Sequence, residues 1–367
     1  MISPFPPSTA TPGYGRIVAA LEPNGDPGLE VVAYQYPLKL IAPTTGAGLG
    51  TLGPVGNVPD DPARKKSALI FLLSYGGGLV AGDQVNLDVE VRKRARLSLV
   101  TQGTTKVFKA SGDGRLARVE EPTRQTLTMN VAPGAGLCLL PDPVQPFADS
   151  VYEQVQVITL DERLQDGEVA PSLCLLDWVT QGRAARGENW DFASWKGRNE
   201  VWLETEQRKR LLVRDSVMLA PGYLDGGFPQ ERPSDEASAA LRESLQGLAV
   251  FGTLILRGPL VDSAGRFFMD EFAALPRLGA RGFHADDGDD ARAGSAAKDE
   301  HDKWRRTRLQ QEHAQGVLWS AAAVRGCVVV KFGARSVEGG RLWIGAMLQR
   351  EGSVGAAFGD EALMCVR

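Results

Sequence analysis

Hydrophobic residues recur with a period of two along much of this chain. Val85, Leu87, Val89 and Val91 alternate with Asn86, Asp88 and Glu90, and Leu127, Met129 and Val131 alternate with Thr126, Thr128 and Asn130. Successive strand side chains point to opposite faces, so the pattern predicts strands with one buried face. The same reading places strands at 16–21, 29–34, 68–73, 84–91, 97–101, 115–119 and 124–131. It continues with 152–158, 172–178, 200–204, 211–218 and 251–256. Clusters of Gly, Pro and Asp separate these segments, which predicts a mainly β fold, an all-β sandwich or a related layered sheet. No repeat of about 20–50 residues is present, so a propeller or solenoid is not expected.

Helical signals are few and late. Ser234 is a candidate N-cap followed by Asp235 and Glu236, with Leu241, Leu245 and Leu248 at helical spacing. A second helix is predicted at 338–350, where Leu342, Trp343, Ala346, Met347 and Leu348 supply the apolar positions. Such helices either cover a sheet or offer an apolar face to a partner. Two stretches lack periodicity, 43–66 and 285–303, and read as flexible, solvated inserts. The acidic group Asp286, Asp287, Asp289 and Asp290 lacks the glycine and terminal glutamate of a calcium loop. Residues 1–15 are rich in Pro, Ser and Thr and are expected to be a disordered tail, leaving 16–367 as a single domain.

Composition narrows the function. The 367 residues are 43% hydrophobic, enough for a substantial core, and carry a net charge of −4, which argues against nucleic acid as a partner. No apolar stretch reaches the ~18–20 residues that a bilayer crossing needs, and the first residues lack the basic and apolar regions of a secretory signal. The four cysteines, Cys138, Cys174, Cys327 and Cys365, are far apart, mostly in apolar contexts. They read as reduced, buried thiols of a cytoplasmic protein.

Two segments carry the most information. One is the glycine run Gly76-Gly77-Gly78 closed by Gly82-Asp83; the other is Thr101-Gln102-Gly103-Thr104-Thr105-Lys106-Val107-Phe108. Gly77 and Gly82 have the spacing of a phosphate loop, but Asp83 stands where the lysine belongs and a strand follows instead of a helix. A nucleotide site is thereby excluded, and a glycine-rich β-turn remains. Histidines are only three, His284, His301 and His313, all in polar sequence, and no Cys or His spacing suits zinc. Carboxylates are better placed. Asp142 lies in the proline-braced turn Leu140-Pro141-Asp142-Pro143, and Glu188 follows Gly182-Arg183 and Gly187. Each has a structural reading, a local turn or a pairing with a nearby arginine. Two fixed carboxylates also suit a carbohydrate-active hydrolase, and oxygen ligands suit transient passage of a divalent ion. Lys106 and Arg183 are expected as buried ion-pair partners that hold the sheet.

Taken in order, these four segments resemble the urease accessory protein UreD family, called UreH in some lineages, and the resemblance extends from about Gly15 to the C-terminus. Gly76, Gly77, Gly78, Gly82, Thr101, Gln102, Lys106, Pro141, Gly182, Arg183 and Gly187 carry the motifs. The resemblance implies a layered, β-helix-like arrangement of short strands with a few covering helices. It implies a non-catalytic maturation factor that binds apo-urease and the accessory protein UreF, and UreG through UreF, with a dimer formed by way of UreF. It further implies no tightly bound cofactor but transient passage of Ni2+ through an internal channel. Asp83, Asp142 and Glu188 are then the candidate channel or rim carboxylates. A conduit needs weak, exchangeable ligands, which the poverty of His and Cys suits.

Overall fold

The alternation resolves into strands passing back and forth between two sheets. The computed structural model describes residues 11–43, 65–109, 122–220, 235–275 and 294–367. Its first strands are β1 (Tyr14–Leu21), β2 (Pro27–Tyr34), β3 (Leu38–Ile41), β4 (Ala68–Ser74), β5 (Gly78–Leu79), β6 (Gln84–Val91), β7 (Arg96–Val100), β8 (Thr105–Val107) and β9 (Thr123–Val131). There follow β10 (Gly136–Leu139), β11 (Val144–Pro146), β12 (Val151–Asp161), β13 (Ser172–Thr180), β14 (Ser194–Glu204), β15 (Lys209–Leu219), β16 (Val250–Arg257), β17 (Leu318–Val324) and β18 (Cys327–Ala334).

One sheet has the order β15-β14-β12-β9-β6-β1-β2, and the five strands from β14 to β1 are mutually parallel. The other has the order β17-β18-β16-β13-β10-β7-β4-β3, parallel from β13 to β4. From β6 to β14 the chain crosses repeatedly from one sheet to the other. One apolar core fills the space between the sheets, with Val89, Leu127 and Ile158 from the first facing Leu97, Leu137 and Leu175 from the second. Cys174, Leu176 and Trp178 project from the opposite face of the second sheet into another core, shared with helices α2 (Asp262–Ala273), α4 (Val337–Glu351) and α5 (Ser353–Phe358). Strand β13 is thus buried on both faces, as expected of a strand inside a covered parallel sheet. The expectation of a mainly β, layered fold with covering helices holds.

Helix α1 (Asp235–Ser244) and α4 lie where the periodicity predicted them. Ser336 caps α4 by accepting from the Gly339 amide at 2.9 Å. Three helices were not expected, α2, the short α5 and α3 (Gly294–Gln315). Helix α3 replaces a solvated loop over 294–303, and its reason is electrostatic. Arg305 and Arg308, one turn apart, both reach the buried carboxylate of Glu271 on α2, and Arg308 also reaches Glu312. Charged residues on one face therefore do the packing that apolar spacing normally announces. His301 and His313 belong to this ordered helix, and His301 Nε2 lies 2.8 Å from Glu271 Oε1. The expected strand at 115–119, the Ser234 cap, His284, the acidic group at 286–290 and residues 44–64 of the first insert lie outside the described residues.

Candidate functional site

The four motif segments, distant in sequence, meet at one corner of the second sheet. β5 pairs with β8 (Gly78 opposite Lys106), β8 with β11 (Lys106 opposite Gln145), and β11 with β13 (Val144 opposite Val179). Gln145 Nε2 then donates to the carbonyl of Gly182 at 3.3 Å. The ladder explains the glycines. Gly76 and Gly77 have φ of 71° and 75°, a region that disfavours other residues, and a Cβ on Gly78 would come within 2.8 Å of the Lys106 carbonyl. Asp83 closes the loop by accepting from the Val80 amide at 2.8 Å, so it makes a local turn. Partial burial raises its carboxyl pKa, offset in part by that amide. Gln102 is exposed. Lys106 is exposed as well, with no ion pair among the described residues, which corrects the buried partner expected for it. Its position on a short strand at the sheet's end leaves the ammonium in water.

Glu188 folds back on its own loop. Arg183 donates from its backbone amide to Oε2 at 2.9 Å and from Nε to Oε1 at 2.8 Å, with Nη2 on the same oxygen. The guanidinium sits 3.9 Å from the centre of the Phe147 ring. Burial would raise the Glu188 carboxyl, but the hydrogen bonds and charge of Arg183 together hold it below the usual range. Arg183 is the ion-pair partner expected of it, though half-buried.

Asp142 points inward and is 6% exposed. Its Oδ2 accepts from the Thr101 hydroxyl at 3.0 Å and the Gly103 amide at 2.8 Å, while Oδ1 accepts from Arg341 Nη2 at 2.9 Å. Thr101 also accepts from the Asp142 amide at 2.7 Å. Thr101→Val removes both contacts and strands buried polar groups, so unfolding free energy should drop by about 1–3 kcal/mol in urea titration.

Behind Asp142 lies a cavity of about 30 Å³, room for a single water, lined by Thr101, Gln125, Gln154, Gln156 and Asp177 among others. It opens a seam of polar side chains inside an otherwise apolar core. On the first sheet, register places Gln125 beside Gln154, and Gln156, Asn199 and Asp215 in one row. On the second, Asp177, Thr253 and Lys331 form the facing row. Asp177 joins the two, accepting from Gln154 Nε2 and Asn199 Nδ2 at 2.8 Å each. Lys331 Nζ donates to Asp215 Oδ1 at 2.5 Å. Among the described residues, the Oδ1 of Asn199 and the Oε1 of Gln156, both fully buried, have no hydrogen-bond partner. Burial pushes the Asp177 carboxyl up to about 6, with the neighbouring Asp215 charge adding to the rise and the two amide donors opposing it.

Of the three carboxylates singled out from sequence, only Asp142 lines this cavity. Among the described residues, no group of three or more His, Cys, Asp and Glu side chains is arranged to hold a metal. Asp177, Gln154, Gln156, Asn199 and Lys331 were missed, though a signal existed. The run Leu173-Cys174-Leu175-Leu176-Asp177-Trp178-Val179 holds one carboxylate among apolar residues, and a buried charge requires partners. Gln154 and Gln156 share the phase of Ile158 and Leu160, the inward phase of β12.

The UreD urease accessory protein family model matches residues 13–364. A urease accessory protein ureD-like protein of Schizosaccharomyces pombe is 29% identical over 312 residues, 84% of this chain and 83% of the relative. The urease accessory protein UreD of Anaeromyxobacter sp. is 31% identical over 264 residues, 72% and 71% of the two chains. Urease accessory protein 4 of Cryptococcus neoformans is 31% identical over 263 residues, 67% and 71%. With the family model spanning both sheets, the motif corner and the polar seam, this chain belongs to the UreD urease accessory protein family.

Proposed function

We propose that this chain is a cytoplasmic, non-catalytic maturation factor for urease. It binds apo-urease on one side and UreF on the other, recruits UreG and pairs with a second copy by way of UreF, and passes nickel toward the urease site. Family membership supports the role in urease maturation. The observation that carries the nickel reading is the polar seam between the sheets. A divalent ion cannot cross an apolar core unhydrated, because the cost of stripping its water is prohibitive without replacement ligands. The seam offers oxygen donors of the exchangeable kind: the Asp177 carboxylate and the unpartnered Gln156 Oε1 and Asn199 Oδ1. Asp142 would stand at its near end. Asp83 and Glu188, already occupied by a backbone amide and by Arg183, would act on the rim by shaping the corner.

The hydrolase alternative draws no support from this geometry. Asp142 is held by Arg341 inside the cavity, and Glu188 is neutralised by Arg183 outside its lining. The test is co-expression of the tagged chain with urease, UreF and UreG. It should retain UreF and apo-urease on the resin and raise the nickel content of the recovered urease. Capture of neither protein would contradict the scaffold role.

A further inference from the structure

The seam reaches solvent where β15, the edge strand of the first sheet, faces β18, which is second from the edge of the other, and a lysine stands at its end. Lys331 projects from β18 on the same face as Val329, which belongs to the inter-sheet core. Its ammonium donates to Asp215 at 2.5 Å and to the Thr253 hydroxyl at 3.5 Å, and it lies 5.5 Å from the centre of the Phe251 ring. The Asp215 side chain is 10% exposed, whereas that of Lys331 is 38% exposed. One partner is therefore fixed and the other has a path to water. Directly inward of this pair is Asn199, opposite Asp215 in register, with its unpartnered Oδ1. A structural ion pair explains why Asp215 is buried. It does not explain why an oxygen donor with no partner lies behind it.

We propose that Lys331 is a charge gate on this seam: docked on Asp215 it closes the mouth to divalent cations, and a nickel ion crosses only when the side chain swings out to solvent. The inference rests on the nickel-conduit reading above. A fixed positive charge at the mouth repels a dication strongly in an environment of low effective dielectric. A lysine on a flexible four-carbon stem can vacate the mouth, with the freed Asp215 carboxylate left to receive the cation.

The experiment titrates nickel chloride into apo-urease activation by the full complex of this chain with UreF and UreG, reading urease activity and the nickel content of recovered urease. Lys331→Met should lower the half-saturating nickel concentration by about tenfold. Lys331→Arg, which keeps the charge, should not lower it. Because Lys331→Met leaves Asp215 unpaired, the double variant Lys331→Met with Asp215→Asn is run beside it and should also fall below wild type. Asp177→Asn serves as the control on the conduit itself and should raise the half-saturating concentration. If Asp177→Asn raises it while Lys331→Met and the double variant both match wild type, the gate is overturned and the conduit stands. If Asp177→Asn leaves it unchanged, the conduit reading fails and the gate falls with it.

Discussion

Arg308→Met is expected to lower unfolding free energy by about 3–5 kcal/mol, a large share of the stability of an ordinary domain. The Arg308 side chain is only 3% exposed and bridges two buried carboxylates, Glu312 at 2.6 Å and Glu271 at 2.9 Å. Its guanidinium lies 5.4 Å from the centre of the Trp304 ring and 5.6 Å from that of Trp319. Methionine refills the volume but, among the described residues, leaves Glu312 with only the Trp343 indole as a donor and Glu271 with Arg305 and His301. The penalty is thus a stranded buried charge more than lost packing. Arg305→Met at the same cluster should cost much less, since Arg305 is 28% exposed and solvent screens its contribution. Urea titrations of the two variants compare them directly. Equal, small losses would show that the network does not hold α3 against α2 and α4.

The second large effect is a pH dependence traceable to Asp177. Its carboxyl is raised from 3.8 to about 6 by burial. Between those values the folded chain binds a proton that the unfolded chain has released. The stability this group contributes is therefore complete below the unfolded pKa and is lost as pH rises through about 6. The difference amounts to about 3 kcal/mol. Asp177→Asn removes the titration with little disturbance, because rotating the Asn199 amide would turn its unpartnered oxygen toward the new NH2 group. Urea titrations at pH 4.5 and pH 7 should show wild type losing stability relative to the variant as pH rises. Parallel behaviour at both pH values would mean that Asp177 is not held in the dry position described.

Much of the fold was legible because period-two alternation marks a strand with one buried face, and β6 and β9 were read to within a residue of their ends. Helix α3 was illegible because its buried face is built from Arg305, Arg308 and Glu312, residues that any hydrophobicity pattern counts as solvated. The motif corner was legible as four segments in order, and register then placed them side by side. Its carboxylates were harder to weigh, since a partner such as Arg341 for Asp142 lies 199 positions away and leaves no local trace. The seam was hidden for a related reason. Gln156, Asn199 and Asp177 come from three strands, and only the register of two sheets shows that they share one interior space.

We propose that nickel reaches urease through the interior of this chain by way of Asp177. The most direct test is a nickel titration of urease activation with wild type and Asp177→Asn, with UreF and apo-urease capture measured in parallel. The account predicts unchanged capture together with less nickel in the recovered urease and a higher half-saturating concentration for the variant. Superimposable titration curves with equal capture would contradict it.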